Sequence, residues 1–505
     1  MAVQTWAQNK QRPDDEYDVL VRNGEVFDGS GSVARRIDIG VKGDRIVFLG
    51  EAGNRKAKQT IEARGLVVAP GFIDPHTHTL EDLSDPKRSR NDAYLMQGVT
   101  TVFTGNDGEG PVQTARTLEK WRKQGIGTNA ALYIGEGAVR REVMGMSDGA
   151  PTPEQLAHMQ QLVARGMQEG AIGMSTGLYY APGNYASTEE IIALARIAAQ
   201  HGGFYDTHMR DESTYNIGLL AAVQETIRIG REAGIPVHIS HIKALGRDVW
   251  GKSREVIDLI NEARSEGVKV SASQYPYEAS GSSVTASLVP RWAEAGGNAE
   301  LLKRISDPEV RPRLISEMER NLDRRGGPDS LLIISGRDKQ IVGKTLEQIA
   351  QGHSETPVQA ALEIVRNGGA GVASFNMREE DIKNFMQQDW VMTCSDGSTG
   401  HPRKYGTFPR KLRKYVFEEH VISLPFAIRS NTSLPAETFG LKKRGLLKEG
   451  YFADIVVFDP QTIRDLATYT KPRILATGIR YLLVNGKLAV FEGRMQDVLA
   501  GRPLS

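Results

Sequence analysis

The chain has 505 residues, 40% hydrophobic and 25% charged, enough to bury a large core and to hold more than one domain. Its formal net charge of +1 offers no surplus that would favour nucleic acid or an anionic membrane as a partner. The single cysteine, Cys394, excludes an intrachain disulfide and an all-thiolate metal site, and no apolar run reaches the roughly 20 residues that span a bilayer. Residues 1–17 are polar and lack a signal-peptide apolar core, and residues 7–13 read as a disordered leader or as the remnant left after a signal is removed. A soluble protein of the cytoplasm or periplasm is the expectation.

From Tyr17 to Leu66 short alternating strands are broken by turns, with Asn23-Gly24 between two apolar-alternating runs as a hairpin signal. Next comes the apolar run at residues 66–72, closed by Ile73-Asp74-Pro75-His76-Thr77-His78. Strand-like and helical stretches then alternate. A strand at 99–103 precedes a helix over 112–124, a strand follows at 129–134, and Thr152-Pro153-Glu154 opens a helix with a cap and a first-turn proline. Further strand-like runs lie at 173–175, 204–205, 237–239, 268–271 and 391–393, a parallel βα series that predicts a (β/α)8 TIM-like barrel over 71–429. Residues 280–343 break the rhythm and form a lid-like insertion. The basic run 410–414 reads as a solvated helix face or a local anion contact. Strand patterns return at 453–458 and 481–486, so 17–70 and 430–495 together predict a small composite β-sandwich.

Two imidazoles two residues apart point to the same face of an extended segment, so His76 and His78 can reach one ion. His208 and His241 each close a further predicted strand, and Asp396 follows the strand at 391–393. The C-terminal ends of barrel strands are where such a fold gathers its reactive groups. Any one of these histidines alone reads better as a hydrogen-bonded structural residue; four at strand ends point to metal. Zinc lowers the pKa of bound water to roughly 7 and polarises a carbonyl, the two things amide hydrolysis needs first. Asp396, which could otherwise cap a turn or helix, is then placed beside the metal to carry the proton from water to the leaving nitrogen.

These residues, together with Gly98-Val99-Thr100-Thr101-Val102, Gly173-Met174-Ser175-Thr176-Gly177-Leu178-Tyr179-Tyr180, His208-Met209-Arg210-Asp211-Glu212, Ser240-His241-Ile242-Lys243, Tyr275-Pro276-Tyr277 and Gly400-His401-Pro402-Arg403, resemble the D-aminoacylase (N-acyl-D-amino-acid deacylase) family of the amidohydrolase superfamily. The likeness runs in order from about Tyr17 to Asn485. It implies one or two zinc ions, a barrel beside a β-sandwich, and hydrolysis of N-acyl-D-amino acids to a carboxylic acid and a D-amino acid. It also implies that Lys243, one of Tyr275 or Tyr277, and Arg403 hold the α-carboxylate of this small-molecule substrate. An arginine fork suits that task, although surface ion pairing is the usual fate of such side chains.

One departure stands out. Where the family usually carries a metal-bridging cysteine, this chain reads Gly105-Asn106-Asp107-Gly108-Glu109, making Asp107 the positional substitute and Glu109 a weaker rival. A carboxylate is a harder ligand than a thiolate, which narrows zinc's advantage over manganese or cobalt. A turn role for Asp107 is the plain alternative. Within hydrolases the competing activity is a dipeptidase or cyclic-amide hydrolase; outside enzymes, it is a metal-free barrel that binds a small carboxylate.

Overall fold

The computed structural model describes residues 17–505, and the leader expected at 7–13 lies outside them. Eight strands form the parallel barrel: β1 (Phe72–Asp74), β2 (Val99–Thr104), β3 (Asn129–Leu132), β4 (Gly173–Gly177), β5 (Phe204–His208), β6 (Val237–Ile239), β7 (Val270–Gln274) and β8 (Val391–Thr393). β1, β2 and β3 pair in parallel, and β4 through β8 pair in parallel in chain order. The Ile172 amide donates to Leu132 at 3.0 Å and joins the two runs. The other seam is closed beyond the strand ends, where Thr77 bridges Gly397 and the Asp396 amide donates to the His76 carbonyl at 3.0 Å. Every residue of β2, β3 and β4 is buried, as expected for parallel strands covered on both faces.

The helices pack outside through one apolar stripe each. In Pro153–Gln168, Met159, Leu162, Val163 and Met167 are buried against Ile134 and Met174. That helix starts where the sequence predicts, because Thr152 accepts from the Gln155 amide and Gln155 returns the bond to complete a capping box. The helix expected from 112 begins at Thr114.

Two sheets form the β-sandwich. One has the order Arg45–Gly50, Asp38–Lys42, Tyr17–Arg22, Ala57–Glu62; in the other, Val67–Pro70 pairs antiparallel with Ile455–Phe458, so strands from before and after the barrel share one sheet. Val19, Val21, Ile39 and Val41 face Val68, Ile455, Val457 and Leu483 in its core. The hairpin predicted at Asn23-Gly24 is not formed. Tyr17–Arg22 and Glu25–Val26 belong to different sheets, and Gly24 sits so close to Val68 and Ala63 that the chain turns a corner there between layers. Asn485-Gly486 does make a two-residue hairpin, with φ of 47° and 79° and Val484 opposite Lys487.

Between β7 and β8 the chain leaves the barrel and builds a third layer, with strands Ala279–Ser283, Ala370–Phe375 and Leu331–Gly336 in antiparallel order. Because Ala370–Phe375 is the middle strand, this excursion continues well past residue 343. Helix Arg311–Arg324 packs in its core through Leu314, Met318 and Leu322. The basic run 410–414 is not a solvated face. Lys411 is buried and donates to Thr393 and Ser430, burial pulling its ammonium down to about 7, while Arg410 pairs with Asp465 at 3.2 Å. No helix among the described residues is long and apolar enough to cross a membrane.

Candidate active site

Six side chains singled out in the sequence meet at the C-terminal mouth of the barrel. His208 is the last residue of β5, His241 lies two residues past β6, Asp107 three past β2 and Asp396 three past β8. His76 and His78 stand beyond β1 rather than on it. Thr77 between them is pinned by its hydroxyl to the Phe103 carbonyl at 2.6 Å and by its bridge to Gly397, which keeps the segment extended and both rings on one side. Asp107, His241 and Asp396 have φ of 57°, 39° and 47°, a left-handed conformation that non-glycine residues adopt at some cost.

The Asp107 carboxylate is the hub. Its Oδ1 lies 3.5 Å from His76 Nε2, 3.7 Å from His241 Nε2 and 3.8 Å from His208 Nδ1, and its Oδ2 lies 3.6 Å from His78 Nε2. These separations are too long for hydrogen bonds. They match two ligands sharing a tetrahedral ion, which at bond lengths of about 2.1 Å sit about 3.4 Å apart. His76 Nε2, Asp107 Oδ1 and His208 Nδ1 are buried and have no hydrogen-bond partner, a costly arrangement unless something else satisfies them. Three overlapping sets result: His76, His78 and Asp107; Asp107, His208 and His241; and His76, His241 and Asp396. The donors are imidazole and carboxylate, which suit zinc and also manganese or cobalt. Glu109, the rival to Asp107, is exposed.

Outer groups orient these side chains. Ser240 donates to Asp206 at 2.7 Å and therefore accepts from His76 Nδ1 at 2.9 Å, which places the ring proton on Nδ1 and turns the Nε2 lone pair toward Asp107. Asn106 holds the other Asp206 oxygen at 2.9 Å. Burial raises the Asp206 carboxyl to about 7 against these bonds. Burial likewise lowers the His208 imidazole to about 4, keeping it a neutral donor. The Asp396 carboxyl feels the same burial, but Arg403 and the neighbouring imidazoles outweigh it and hold it well below the ordinary carboxylate range.

The substrate-side residues are also gathered here, with one exception. Lys243 Nζ is 2.6 Å from Glu212 and 2.7 Å from His241 Nδ1. The Tyr275 ring lies 4.7 Å under the Arg403 guanidinium and 5.7 Å under the Lys243 ammonium, with its hydroxyl unpartnered. Tyr277 instead packs under Arg410 at 4.7 Å and against His401, away from the cavity. Arg403 NH1 is 2.8 Å from Asp396 Oδ2 as an ion pair, while Nε and NH1 retain no hydrogen-bond partner. Gly281 makes room for this: a Cβ there would come within 2.8 Å of Arg403 NH2. Sequence reasoning missed Glu212, 3.6 Å from His208 Nε2 and 3.2 Å from His241 Nδ1, although its place four residues after a ligand histidine is visible in the motif. Tyr179, Tyr180, Tyr215 and Arg325 complete the wall. Cys394 is buried in the hydrophobic core and belongs to none of the three ligand-spaced sets, so it does not stand in for Asp107.

Comparison with known proteins agrees with this geometry. The profile described as "Amidohydrolase family" matches residues 59–490. The chain is 35% identical to D-aminoacylase of Alcaligenes xylosoxydans xylosoxydans, over 97% of this chain and 98% of that protein, and 32% identical to N-acyl-D-glutamate deacylase of the same organism, over 97% of each. The crystal structure of N-acyl-D-glutamate deacylase from Bordetella bronchiseptica, complexed with zinc and a phosphonate inhibitor that mimics the tetrahedral intermediate, superposes with a TM-score of 0.83 at 31% identity, covering 97% of this chain and 100% of that one.

Proposed function

The chain belongs to the amidohydrolase family, and from that premise we propose that it is a zinc-dependent N-acyl-D-amino-acid deacylase, hydrolysing the amide bond to release a carboxylic acid and a D-amino acid. The observation that carries this reading is the cluster of four imidazoles and two carboxylates at ligand spacing, with unpartnered donor atoms turned toward one another. His76, His78, Asp107, His208, His241 and Asp396 are the residues to hold one or two ions. When bound, the metal supplies Lewis acidity toward the amide carbonyl and a nucleophile from water at neutral pH.

The protein's own groups do the rest. Asp396 Oδ1, 3.0 Å from His78 Nε2, is ionised and takes the water proton, then passes it to the leaving nitrogen. Arg403 and Lys243, both set over the Tyr275 ring, hold the substrate's α-carboxylate. Glu212 holds Lys243 in place, accepting from its ammonium at 2.6 Å.

Elemental analysis of the purified protein is expected to find at least one zinc per chain, with activity lost in chelator and regained on adding zinc. Full activity without stoichiometric metal would remove the reading. A panel of N-acyl-D- and N-acyl-L-amino acids, dipeptides and cyclic amides separates the deacylase from the dipeptidase and cyclic-amide alternatives. Arg403→Ala is expected to raise KM on substrates with a free α-carboxylate by about a hundredfold, and that of the corresponding amides far less. Equal losses on both would assign Arg403 to orienting Asp396 instead.

A further inference from the structure

One buried carboxylate inside the barrel serves two of the candidate ligands at once. Asp206, the third residue of β5, lies two residues before His208 and so faces the same side of the strand, one layer deeper. It is fully buried and turns both oxygens to neutral donors, the Ser240 hydroxyl on Oδ1 at 2.7 Å and the Asn106 amide on Oδ2 at 2.9 Å. Asp107 and His241, both members of the cluster above, are charged groups that act on it. Asp206 itself belongs to none of the three ligand-spaced sets.

Each of its two contacts leads to a candidate ligand. The Ser240 proton is committed to Asp206, so the Ser240 oxygen accepts from His76 Nδ1 at 2.9 Å and leaves Nε2 as the nitrogen free for a metal. Asn106 immediately precedes Asp107, and its amide nitrogen also donates at 3.2 Å to the carbonyl of Pro75, the residue before His76. The same loop is pinned from β4, where Ser175 donates to the Gly105 carbonyl and accepts from the Gly108 amide at 3.1 Å. His76 stands beyond β1 and Asp107 beyond β2, yet both are tied through one hydrogen-bonding residue to a single anchor on β5. An ion binds more tightly to ligand atoms that are already held in place, because the cost of ordering them does not fall on the binding step.

Resting on the reading of the cluster as a zinc site, we propose that Asp206 is a positioning residue for the metal, which through Ser240 and Asn106 presets His76 and Asp107 together and thereby sets the affinity for zinc. The test titrates the metal-free protein with zinc in competition with a chromophoric chelator. Asp206→Asn preserves size and both contacts, since Asn106 can turn its unpartnered amide oxygen toward the new amide nitrogen, and removes only the charge. Ser240→Ala cuts the link to His76 alone, and Asn106→Ala the link to the Asp107 loop. Each substitution is expected to weaken zinc binding by about ten- to a hundredfold, the usual cost of losing a partner of a metal ligand. A second readout separates positioning from a contribution to folding. In zinc-loaded protein carrying isotope-labelled histidine, the His76 Nδ1 proton is expected as a slowly exchanging downfield resonance, lost in Ser240→Ala and shifted in Asp206→Asn. Zinc affinity within about threefold of the unaltered protein in Asp206→Asn and Ser240→Ala, or a His76 resonance that neither substitution moves, would overturn the proposal. If Asp206→Asn does not fold, Ser240→Ala decides by the same two measurements. Tight zinc binding that ignores these substitutions defeats this inference alone, whereas an unaltered protein that binds no zinc defeats the metal reading and this inference with it.

Discussion

Asp396→Asn is expected to lower kcat by at least about a hundredfold with the fold intact. The substitution is chosen to spare the backbone, because asparagine tolerates the left-handed φ of 47° that this residue adopts. Its amide keeps the shape of the carboxylate, whose Oδ1 sits 3.0 Å from His78 Nε2. What the amide cannot do is take a proton and return it. Arg403, 2.8 Å away, would also face a neutral group. Zinc content measured on the same preparation separates loss of the proton carrier from loss of an ion, and an unchanged melting temperature excludes misfolding. Near-normal turnover at full metal occupancy would take Asp396 out of the proton transfer.

The second large effect is expected at Asp107, whose carboxylate faces all four imidazoles. Asp107→Ala removes the oxygen that faces His76, His208 and His241, and should strip a metal ion or weaken zinc binding by about a hundredfold or more. Alanine at φ 57° also carries a backbone penalty of about 1–2 kcal/mol, so Asp107→Asn is the cleaner control. It keeps the turn and the shape and loses the charge. If zinc titrates the asparagine variant as tightly as the unaltered protein, Asp107 only shapes the loop. Asp107→Cys tests the converse: a thiolate at this hub should shift preference toward zinc over manganese and cobalt.

The strand-end candidates were legible because each follows a short apolar run, and an apolar strand that ends in histidine or aspartate announces a buried polar group with work to do. Asp107 was legible by its position in the loop after β2, and the structure adds that its side chain faces four imidazoles. Residues whose meaning depends on a distant partner were not legible. Ser240 and Asp206 look like ordinary strand residues until β5 and β6 lie side by side and set the His76 tautomer. Tyr275 and Tyr277 are indistinguishable in sequence, yet only Tyr275 faces the cavity, because the chain has left the strand at Gln274 and the parity rule no longer applies. Asn23-Gly24 carried a hairpin signal, but close packing against Val68 turned it into a corner. Lys411 read as solvated because a charge run usually is; Thr393 and Ser430, its hydrogen-bond partners, are 18 and 19 residues away.

The pairing of Val67–Pro70 with Ile455–Phe458 also bears on how the molecule comes into being. During synthesis the first strand emerges long before its partner, and at about 5–20 residues per second the wait is on the order of tens of seconds. Through that interval Val67, Val68 and Ala69, all buried in the finished protein, present an unsatisfied strand edge next to an incomplete barrel. Until residues 455–458 arrive, this edge is open to pairing with another chain, and a chaperone that covered it would protect the nascent protein there.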